Sequence, residues 1–231
     1  MMVWVLIPVY NEATTLLDTF NKFNEALLKF TANNFTLIFI NDCSTDSSAN
    51  ILKELEANHL NVKVITHTHN KGKGAALISG IKQTENGYIL FGDADLELDP
   101  HQSEKLLTPL FLNHADLVNG SRFLNKSTTN FRVFVNKAYS LIFSILTFKR
   151  ITDFACGFKA IKTACAKQLI LTEQRFGIEA ELMMKACRKK FKIIEVPVTY
   201  IPRSKAEGKK IKNSDAINIL IALFKHRFSK H

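Results

Sequence analysis

Short apolar runs alternate with longer segments of helical periodicity throughout the first 120 residues, and this alternation limits the folds open to the chain. The run at 3–9 is continuously apolar, which is typical of a strand covered on both faces. Leu16, Phe20, Phe23 and Leu27 then recur at the spacing of one helical face. The alternation predicts an α/β fold with a mostly parallel sheet and helices on both faces. The predicted strands lie at 3–9, 35–40, 62–65, 88–91 and 116–119.

The pattern changes after residue 120, where a polar loop follows the last of these strands. Pro197 lies in a later predicted strand and favours an edge position in the sheet. Near the end of the chain, apolar residues recur at helical spacing among Lys and Arg. We therefore predict one domain over residues 1–212 and a basic amphipathic helix over 213–231. The other predicted elements are helices at 131–148 and 177–190 and a strand at 191–200.

Acidic residues follow the predicted strand at 88–91. In extended backbone, Asp93 and Asp95 point their carboxylates to the same side, and Glu97 continues the alternation. Small Ala94 leaves the backbone open to close approach by a ligand. Carboxylate oxygens suit Mg²⁺ or Mn²⁺, which often bind through one or two carboxylates plus substrate phosphates. The alternative is an acidic turn that only caps the helix beginning near His101.

Two other predicted strands also end in polar loops, Tyr10-Asn11-Glu12 and Asn41-Asp42. In open parallel sheets, ligands collect at the carboxyl ends of the strands. This rule predicts that all three polar loops converge on one cleft.

Several other residues in or near predicted loops allow both a functional and a structural interpretation. Gly72 and Gly74 do not form a P-loop, although backbone N–H groups at a helix start can bind an anion; a tight turn is the alternative. His67 and His69 lack a third ligand at a known spacing, and we interpret them as surface residues. Asp153, before a glycine-containing turn, could be a base, an orienting group or a turn cap.

The net charge of +10 is concentrated in the last fifth of the chain. Residues 185–231 hold 13 Lys and Arg against 3 Asp and Glu, a difference of 10 that equals the whole net charge. Such a segment indicates an anionic partner, namely nucleic acid, an anionic membrane or a phosphorylated substrate, with solubility alone as the alternative. Arginines at 122, 132 and 203 could bind phosphate bidentately or be solvated surface charges.

Neither the beginning of the sequence nor its apolar runs indicate export or membrane insertion. The first residues lack a basic segment and a cleavage site. The longest apolar runs, at 138–148 and 216–224, are shorter than the roughly 20 residues that a spanning helix needs. The four cysteines form no C-x-x-C pair, which gives no zinc-ribbon pattern. We expect a cytoplasmic protein that does not cross a membrane.

Four segments carry a family resemblance, in order along the chain. They are Pro8-Val9-Tyr10-Asn11-Glu12, Asn41-Asp42-Cys43-Ser44-Thr45-Asp46, Asp93-Ala94-Asp95 and Gly120-Ser121-Arg122-Phe123. Together they resemble the signatures of family 2 glycosyltransferases. More narrowly, they resemble the dolichol-phosphate mannose and glucose synthase branch, which includes bacterial polyprenyl-phosphate glycosyltransferases. The segments 153–158 and 195–210 are similar to further elements of that branch.

The resemblance implies a GT-A fold and an inverting transfer of sugar from a nucleotide sugar, of the GDP-mannose or UDP-glucose type, to a polyprenyl or dolichyl phosphate. It also implies a divalent metal, Mg²⁺ or Mn²⁺. The implied metal ligands are Asp93, Asp95 and Glu97. The implied nucleotide-sugar contacts are Pro8, Tyr10, Glu12, Asp42, Lys71, Gly72, Asp93 and Ala94. The implied acceptor-phosphate contacts are Arg122, Arg132, Arg203 and Lys209, and the implied catalytic residues are Asp95, Asp153 and Arg122.

The sequence departs from the family pattern in the second segment, where relatives usually have Asp-Asp-Gly-Ser. Asn41 removes a charge, and Cys43 replaces a glycine that would permit unusual backbone angles. This departure bears on the contact to the nucleobase and so on the identity of the donor.

The implied acceptor and the basic tail together predict a protein attached peripherally to an anionic membrane surface. A membrane-protein partner or a homo-oligomer stays open, as does a glycan or soluble acceptor. A nucleic-acid-binding module is the alternative from another class. We disfavour it because the tail lacks interleaved aromatics and the acidic strand ends would be unexplained.

Overall fold

The structure is a computed structural model that describes residues 1–124, 131–202 and 213–229, with the side chains of 131–135 and 213–216 left out of the description. The strands are β1 (Val3–Val9), β2 (Phe35–Asn41), β3 (Val62–Thr66), β4 (Tyr88–Phe91), β5 (Leu117–Ser121), β6 (Lys159–Lys162) and β7 (Ile193–Pro197). The helices are α1 (Leu16–Thr31), α2 (Ser48–Asn58), α3 (Lys73–Lys82), α4 (Ser103–Phe111), α5 (Phe131–Thr147), α6 (Thr163–Lys167), α7 (Ile178–Arg188) and α8 (Asn213–Phe228).

The strands form one sheet in the order β3-β2-β1-β4-β6-β5-β7. Neighbouring strands are parallel from β3 through β4, and β7 is parallel to β5. Among the described strands, only β6 runs antiparallel to its neighbours, β4 and β5. The predicted, mostly parallel α/β sheet is confirmed, and β7 with Pro197 lies at the edge as expected.

The two faces of the sheet are covered by separate groups of helices. Along β1, Trp4 and Leu6 point into a core that includes side chains of α3, α5, α7 and α8. Val5 and Ile7 point into the opposite core, which includes side chains of α1, α2 and α4. Because successive side chains of a strand alternate between faces, a continuously apolar strand can serve both cores.

The last helix contributes to the core as well as to the surface. Ala222 and Leu223 of α8 are fully buried against α7, while Ile217, Ile221 and Phe224 on the other side of the helix are exposed. The proposed domain boundary at residue 212 falls outside the described residues. No helix in the described part of the chain is long and apolar enough to span a membrane.

Candidate functional site

The three polar strand ends meet at one edge of the sheet, as predicted. The hydroxyl groups of Thr15 and Thr19 donate to the carbonyl oxygen of Ala94 at 2.8 and 3.0 Å, which fixes the loop after β4 against α1. The loops after β1 and β2 are joined because the backbone N–H of Glu12 donates to Ser48 Oγ at 3.0 Å. Tyr10, at the end of β1, is 36% exposed beside this junction. These hydrogen bonds hold three separate parts of the chain together around the candidate cleft at this edge of the sheet.

Asp42 organises the loops that follow β2 and β3 at this edge of the sheet. Its buried carboxylate accepts the backbone N–H groups of Lys71 and Gly72 at 2.9 and 2.7 Å and lies 2.7 Å from His67 Nδ1. His67 Nε2 is in turn 2.9 Å from Ser79 Oγ. The interpretation of His67 as a surface residue is therefore wrong, because β3 ends one residue earlier and the imidazole turns inward beneath Asp42. The exposed position predicted for His69 is confirmed.

The glycines before α3 permit close approach by another part of the chain. Gly72 has φ +97°, a value that side chains rarely allow. A Cβ atom at Gly72 or Gly74 would collide with the backbone carbonyl groups of Glu173 and Gln174. The N–H of Ala75 donates to Gln174 O at 2.9 Å. The tight-turn interpretation therefore accounts for these glycines, while Asp42 uses the N–H groups of Lys71 and Gly72.

The departure from the family pattern after β2 has a structural counterpart. Cys43 has φ 61°, in the left-handed region where a glycine would be strain-free. The side-chain oxygen of Asn41 accepts the N–H of Ser44 at 2.9 Å and so holds the same turn. The turn therefore has the left-handed backbone that glycine favours, although a cysteine side chain stands at position 43.

The first acidic residue after β4 is paired with a partly buried cation. Lys73 Nζ lies 2.7 Å from Asp93 Oδ1 and 2.9 Å from Glu179 Oε1. Burial disfavours the charged form of Lys73, but the two carboxylates outweigh it and raise its pKa. Sequence reasoning missed Lys73 and assigned no role to Glu179. The available signals were a lysine between two glycines and an acid in the first turn of α7.

Asp95 lies in a different environment from Asp93. Its Oδ1 accepts the N–H of Glu97 at 3.0 Å. Burial and then the negative charge of Asp93 raise the pKa of Asp95 to about 7. Glu97 Oε2 accepts a hydrogen bond from the hydroxyl of Tyr200 at 2.9 Å.

The turn before α4 is capped by Asp99, whose Oδ1 accepts the N–H of His101 at 3.1 Å. The helix-capping alternative thus applies to Asp99, and not to Asp93 or Asp95.

The donor set suits a divalent metal held by one or two carboxylates. Asp93, Asp95 and Glu97 are not gathered into one group, because Asp93 contacts Lys73 and Glu97 contacts Tyr200. Within the described ranges, no three His, Cys, Asp or Glu side chains are arranged to hold a metal ion. Burial is the main cause of the raised pKa of Asp95, and the nearby carboxylate of Asp93, which a cation would offset, adds to it. The arrangement fits a metal whose remaining ligands come from a substrate.

Arg122 is held rigidly on the other side of Tyr200. Its Nε and Nη2 donate to the two oxygens of Asp153 at 2.6 and 2.7 Å, and its backbone N–H donates to the same carboxylate at 3.0 Å. The guanidinium carbon lies 5.2 Å from the centre of the Tyr200 ring. Asp153 is fully buried, so its carboxylate orients Arg122 and lies beneath the cleft. Tyr200 thus contacts both Arg122 and Glu97, which belongs to the acidic loop, residues 93–97.

A buried polar network that sequence reasoning missed supports this pair. Glu195 Oε1 accepts the N–H of Asp153 at 3.2 Å and the amide of Asn119 at 2.9 Å. Lys159 Nζ donates to Asn119 Oδ1 and, at 2.8 Å, to Phe154 O. Burial lowers the pKa of Lys159. The available signals were a lysine at the start of β6 and a glutamate within the otherwise apolar β7.

The remaining basic candidates cannot be placed in the cleft. Arg132 belongs to α5, but its side chain is outside the described part of the structure. Arg203 and Lys209 lie outside the described residues altogether.

Solved structures of glycosyltransferases share the fold of this chain. The structure resembles glucosyl-3-phosphoglycerate synthase from Mycobacterium tuberculosis, crystallised with Mn²⁺ and UDP, with a TM-score of 0.74 at 17% identity over 97% of this chain and 79% of that one. It also resembles S. aureus TarS bound to UDP-GlcNAc, with a TM-score of 0.63 at 16% identity, over 96% and 65% of the two chains. The fold is that of the GT-A glycosyltransferases.

The sequence comparisons give the family. The model of glycosyl transferase family 2 matches residues 4–169, and the chain belongs to this family. It is 30% identical to a dolichyl-phosphate β-glucosyltransferase of Trichomonas vaginalis, over 95% of this chain and 71% of the relative. It is 29% identical to a dolichol-phosphate mannosyltransferase of Pyrococcus furiosus, over 90% of this chain and 59% of the relative.

Proposed function

We propose that this protein transfers a sugar, with inversion, from a nucleotide-sugar donor to a polyprenyl or dolichyl phosphate in a metal-dependent reaction. One observation carries the proposal most directly. The ring of Tyr200 lies next to the guanidinium of Arg122, and its hydroxyl donates to Glu97 in the acidic loop that also carries Asp95. A metal-bound diphosphate on one side and an anionic acceptor on the other need this juxtaposition. The names of the sequence relatives support a lipid phosphate as the acceptor.

The acidic loop provides the donor half of the site. Asp95, with Asp93, would hold a divalent metal, which supplies positive charge to the diphosphate as it leaves. Tyr10 and the buried Glu12 lie at the end of β1, where a nucleoside can rest on the loops after β1 and β2. We infer a donor of the UDP-glucose or GDP-mannose type.

Arg122 provides the acceptor half. A phosphate monoester is already anionic near neutral pH, so its oxygen can attack the anomeric carbon without a strong base. The bond from that carbon to the nucleoside diphosphate breaks on the opposite face, which inverts the configuration. Arg122 aligns an anion that the donor diphosphate would otherwise repel. Asp153, buried beneath it, keeps the guanidinium in place.

The outer face of α8 supports association with a membrane surface. Ile217, Ile221 and Phe224 are exposed on this helix, and Leu141 and Ile145 are exposed on α5, which contacts it. Basic residues concentrated near the C-terminus would favour anionic lipid by about 1 kcal/mol each. We infer a protein that works peripherally on the membrane, where the lipid phosphate lies.

The donor half is tested by a thermal-shift panel of nucleotide sugars with and without Mn²⁺. One donor with Mn²⁺ should raise Tm, because a ligand that binds only the folded state stabilises it by mass action. The same pair should leave Tm of Asp95→Ala almost unchanged. A Tm that no nucleotide sugar raises, or an equal rise in Asp95→Ala, would contradict the proposed donor site.

A further inference from the structure

Lys73 links three parts of the chain next to the acidic loop that we propose as the metal site. It lies in the first turn of α3, and its ammonium contacts Asp93, which follows β4, and Glu179, in the first turn of α7. The side chains of all three residues are less than one-quarter exposed. The carboxylates of Asp93 and Glu179 therefore share the ammonium of Lys73 in a partly desolvated site, where ion pairs are stronger than on the surface.

The surroundings fix Asp93 in this arrangement. Gly157 lies directly against the second carboxylate oxygen of Asp93, and a Cβ atom at Gly157 would collide with it and come within 3.1 Å of Lys73 Nζ. One oxygen of Asp93 thus contacts Lys73, and the other lies against a glycine. A metal that uses Asp93 must compete with Lys73 for the same carboxylate.

We propose that Lys73 is a positioning residue that competes with the metal for Asp93, and that Glu179 sets the strength of this competition. Glu179 draws the ammonium partly away from Asp93, so the carboxylate stays accessible to a cation. In the free protein, Asp95 would be the main ligand of a weakly bound metal. Oxygen atoms of a nucleoside diphosphate would complete the ligand set, so metal and donor would bind together. This inference rests on the metal-dependent site proposed above.

The test measures the affinity for Mn²⁺ alone, from the electron paramagnetic resonance signal of free Mn²⁺. Lys73→Met should bind Mn²⁺ about tenfold more tightly, because Asp93 loses its internal counter-ion. Glu179→Gln should bind it several-fold more weakly, because Lys73 then pairs with Asp93 alone. Lys162→Met removes the half-buried Lys162–Asp116 pair at the far end of β4 and should leave the affinity unchanged.

A double-mutant cycle separates this role from a general effect of charge. If Glu179 acts through Lys73, Glu179→Gln should change the affinity little in the Lys73→Met background. Equal effects in both backgrounds, or the same direction for both single variants, would overturn the inference. If Lys73→Met fails to fold, Glu179→Gln decides alone, and an affinity equal to or higher than that of the wild type would overturn it.

The result also separates this inference from the proposed function. Unchanged Mn²⁺ binding in both variants, with a donor that still requires Mn²⁺, would remove the role of Lys73 and leave the metal-dependent site intact. Absence of Mn²⁺ binding in every protein, with and without UDP-glucose or GDP-mannose, would remove both.

Discussion

At the residue scale, chemically similar side chains have different roles because their neighbours differ. Asp93 is paired with Lys73, Asp95 lies among negative charges, and Asp153 is buried beneath Arg122. The sequence placed all three in or beside loops, but it left Asp153 open between a base, an orienting group and a turn cap. The structure pairs Asp153 with Arg122, 31 positions away in the chain, which supports the orienting role. No local pattern could have paired the two residues.

Replacement of Asp153 by Asn tests its role as the support of Arg122. The amide cannot offset the charge of the guanidinium, so the partly buried arginine loses its counter-ion. We expect urea unfolding to show a loss of about 3 kcal/mol in the free energy of unfolding. Asp116→Asn, which breaks the half-buried pair with Lys162, serves as the control and should cost about 1 kcal/mol or less. Equal losses in the two variants would contradict the assignment.

Asp95 gives a prediction about pH. Its pKa is raised from 3.8 to about 7, so the folded protein favours the protonated carboxyl. The stability that this preference contributes is complete below about pH 4 and is lost as the pH rises through 7. Asp95→Asn stays neutral. It should therefore match the wild type near pH 4 and exceed it by about 4 kcal/mol at pH 8 in the absence of metal.

Urea unfolding at the two pH values checks this prediction. Mn²⁺ at pH 8 should stabilise the wild type and have little effect on Asp95→Asn, because the amide is a poorer ligand. A difference between the proteins that does not change with pH would contradict the charged environment assigned to Asp95.

At the scale of elements, the segment before α7 shapes the start of α3. The sequence Asn70-Lys71-Gly72-Lys73-Gly74 allowed both an anion site and a tight turn. The structure shows backbone atoms of Glu173 and Gln174 packed against the two glycines. Spacing within one segment could not reveal this packing, because the contacting segment lies about one hundred residues away.

Gly74→Ala tests this packing within α3. Alanine normally favours a helix, but its methyl group would collide with the carbonyl of Glu173, and we expect a loss of about 2 kcal/mol in the free energy of unfolding. Gly80→Ala in the same helix is the matched control. Its methyl group would meet only side-chain atoms of Leu6 and Ile40, at 3.0 to 3.2 Å, and should cost less than about 1 kcal/mol. A smaller loss for Gly74→Ala than for Gly80→Ala would contradict the packing argument.

At the scale of the whole molecule, sequence patterns predicted the parallel half of the sheet and the convergence of its strand ends. They succeeded there because β1 and β4 are continuously apolar, β2 is mostly so, and each is followed by polar residues. They did not predict that β6 enters between β4 and β5 in the opposite direction. Strand order depends on pairing between distant segments, and neither the periodicity of apolar residues nor the composition determines that pairing.

The two faces of α8 lead to a prediction about membranes. The buried face of α8 carries Leu223 and His226, so deletion of the helix would disturb the core. Substitution of the exposed Ile217, Ile221 and Phe224 by Ser avoids that problem. The triple variant should lose most of its flotation with anionic vesicles at low salt, because apolar contact with the bilayer is removed.

Two controls accompany the vesicle measurement. The triple variant should keep the Tm of the wild type, and Leu60→Ser, a fully exposed leucine between α2 and β3, should float like the wild type. Unchanged flotation of the triple variant would exclude this face of α8 from membrane contact.

The most direct test of the proposed function is transfer of labelled sugar to a lipid phosphate. Purified protein is incubated with radiolabelled UDP-glucose or GDP-mannose, Mn²⁺ and vesicles that contain polyprenyl phosphate, and the label in the organic phase is counted. We predict that label from one donor enters the lipid fraction, that removal of Mn²⁺ stops the transfer, and that Asp95→Ala lowers it by about a hundredfold or more. Label that enters only a soluble phosphate acceptor, or lipid labelling that persists without metal and in Asp95→Ala, would contradict the account.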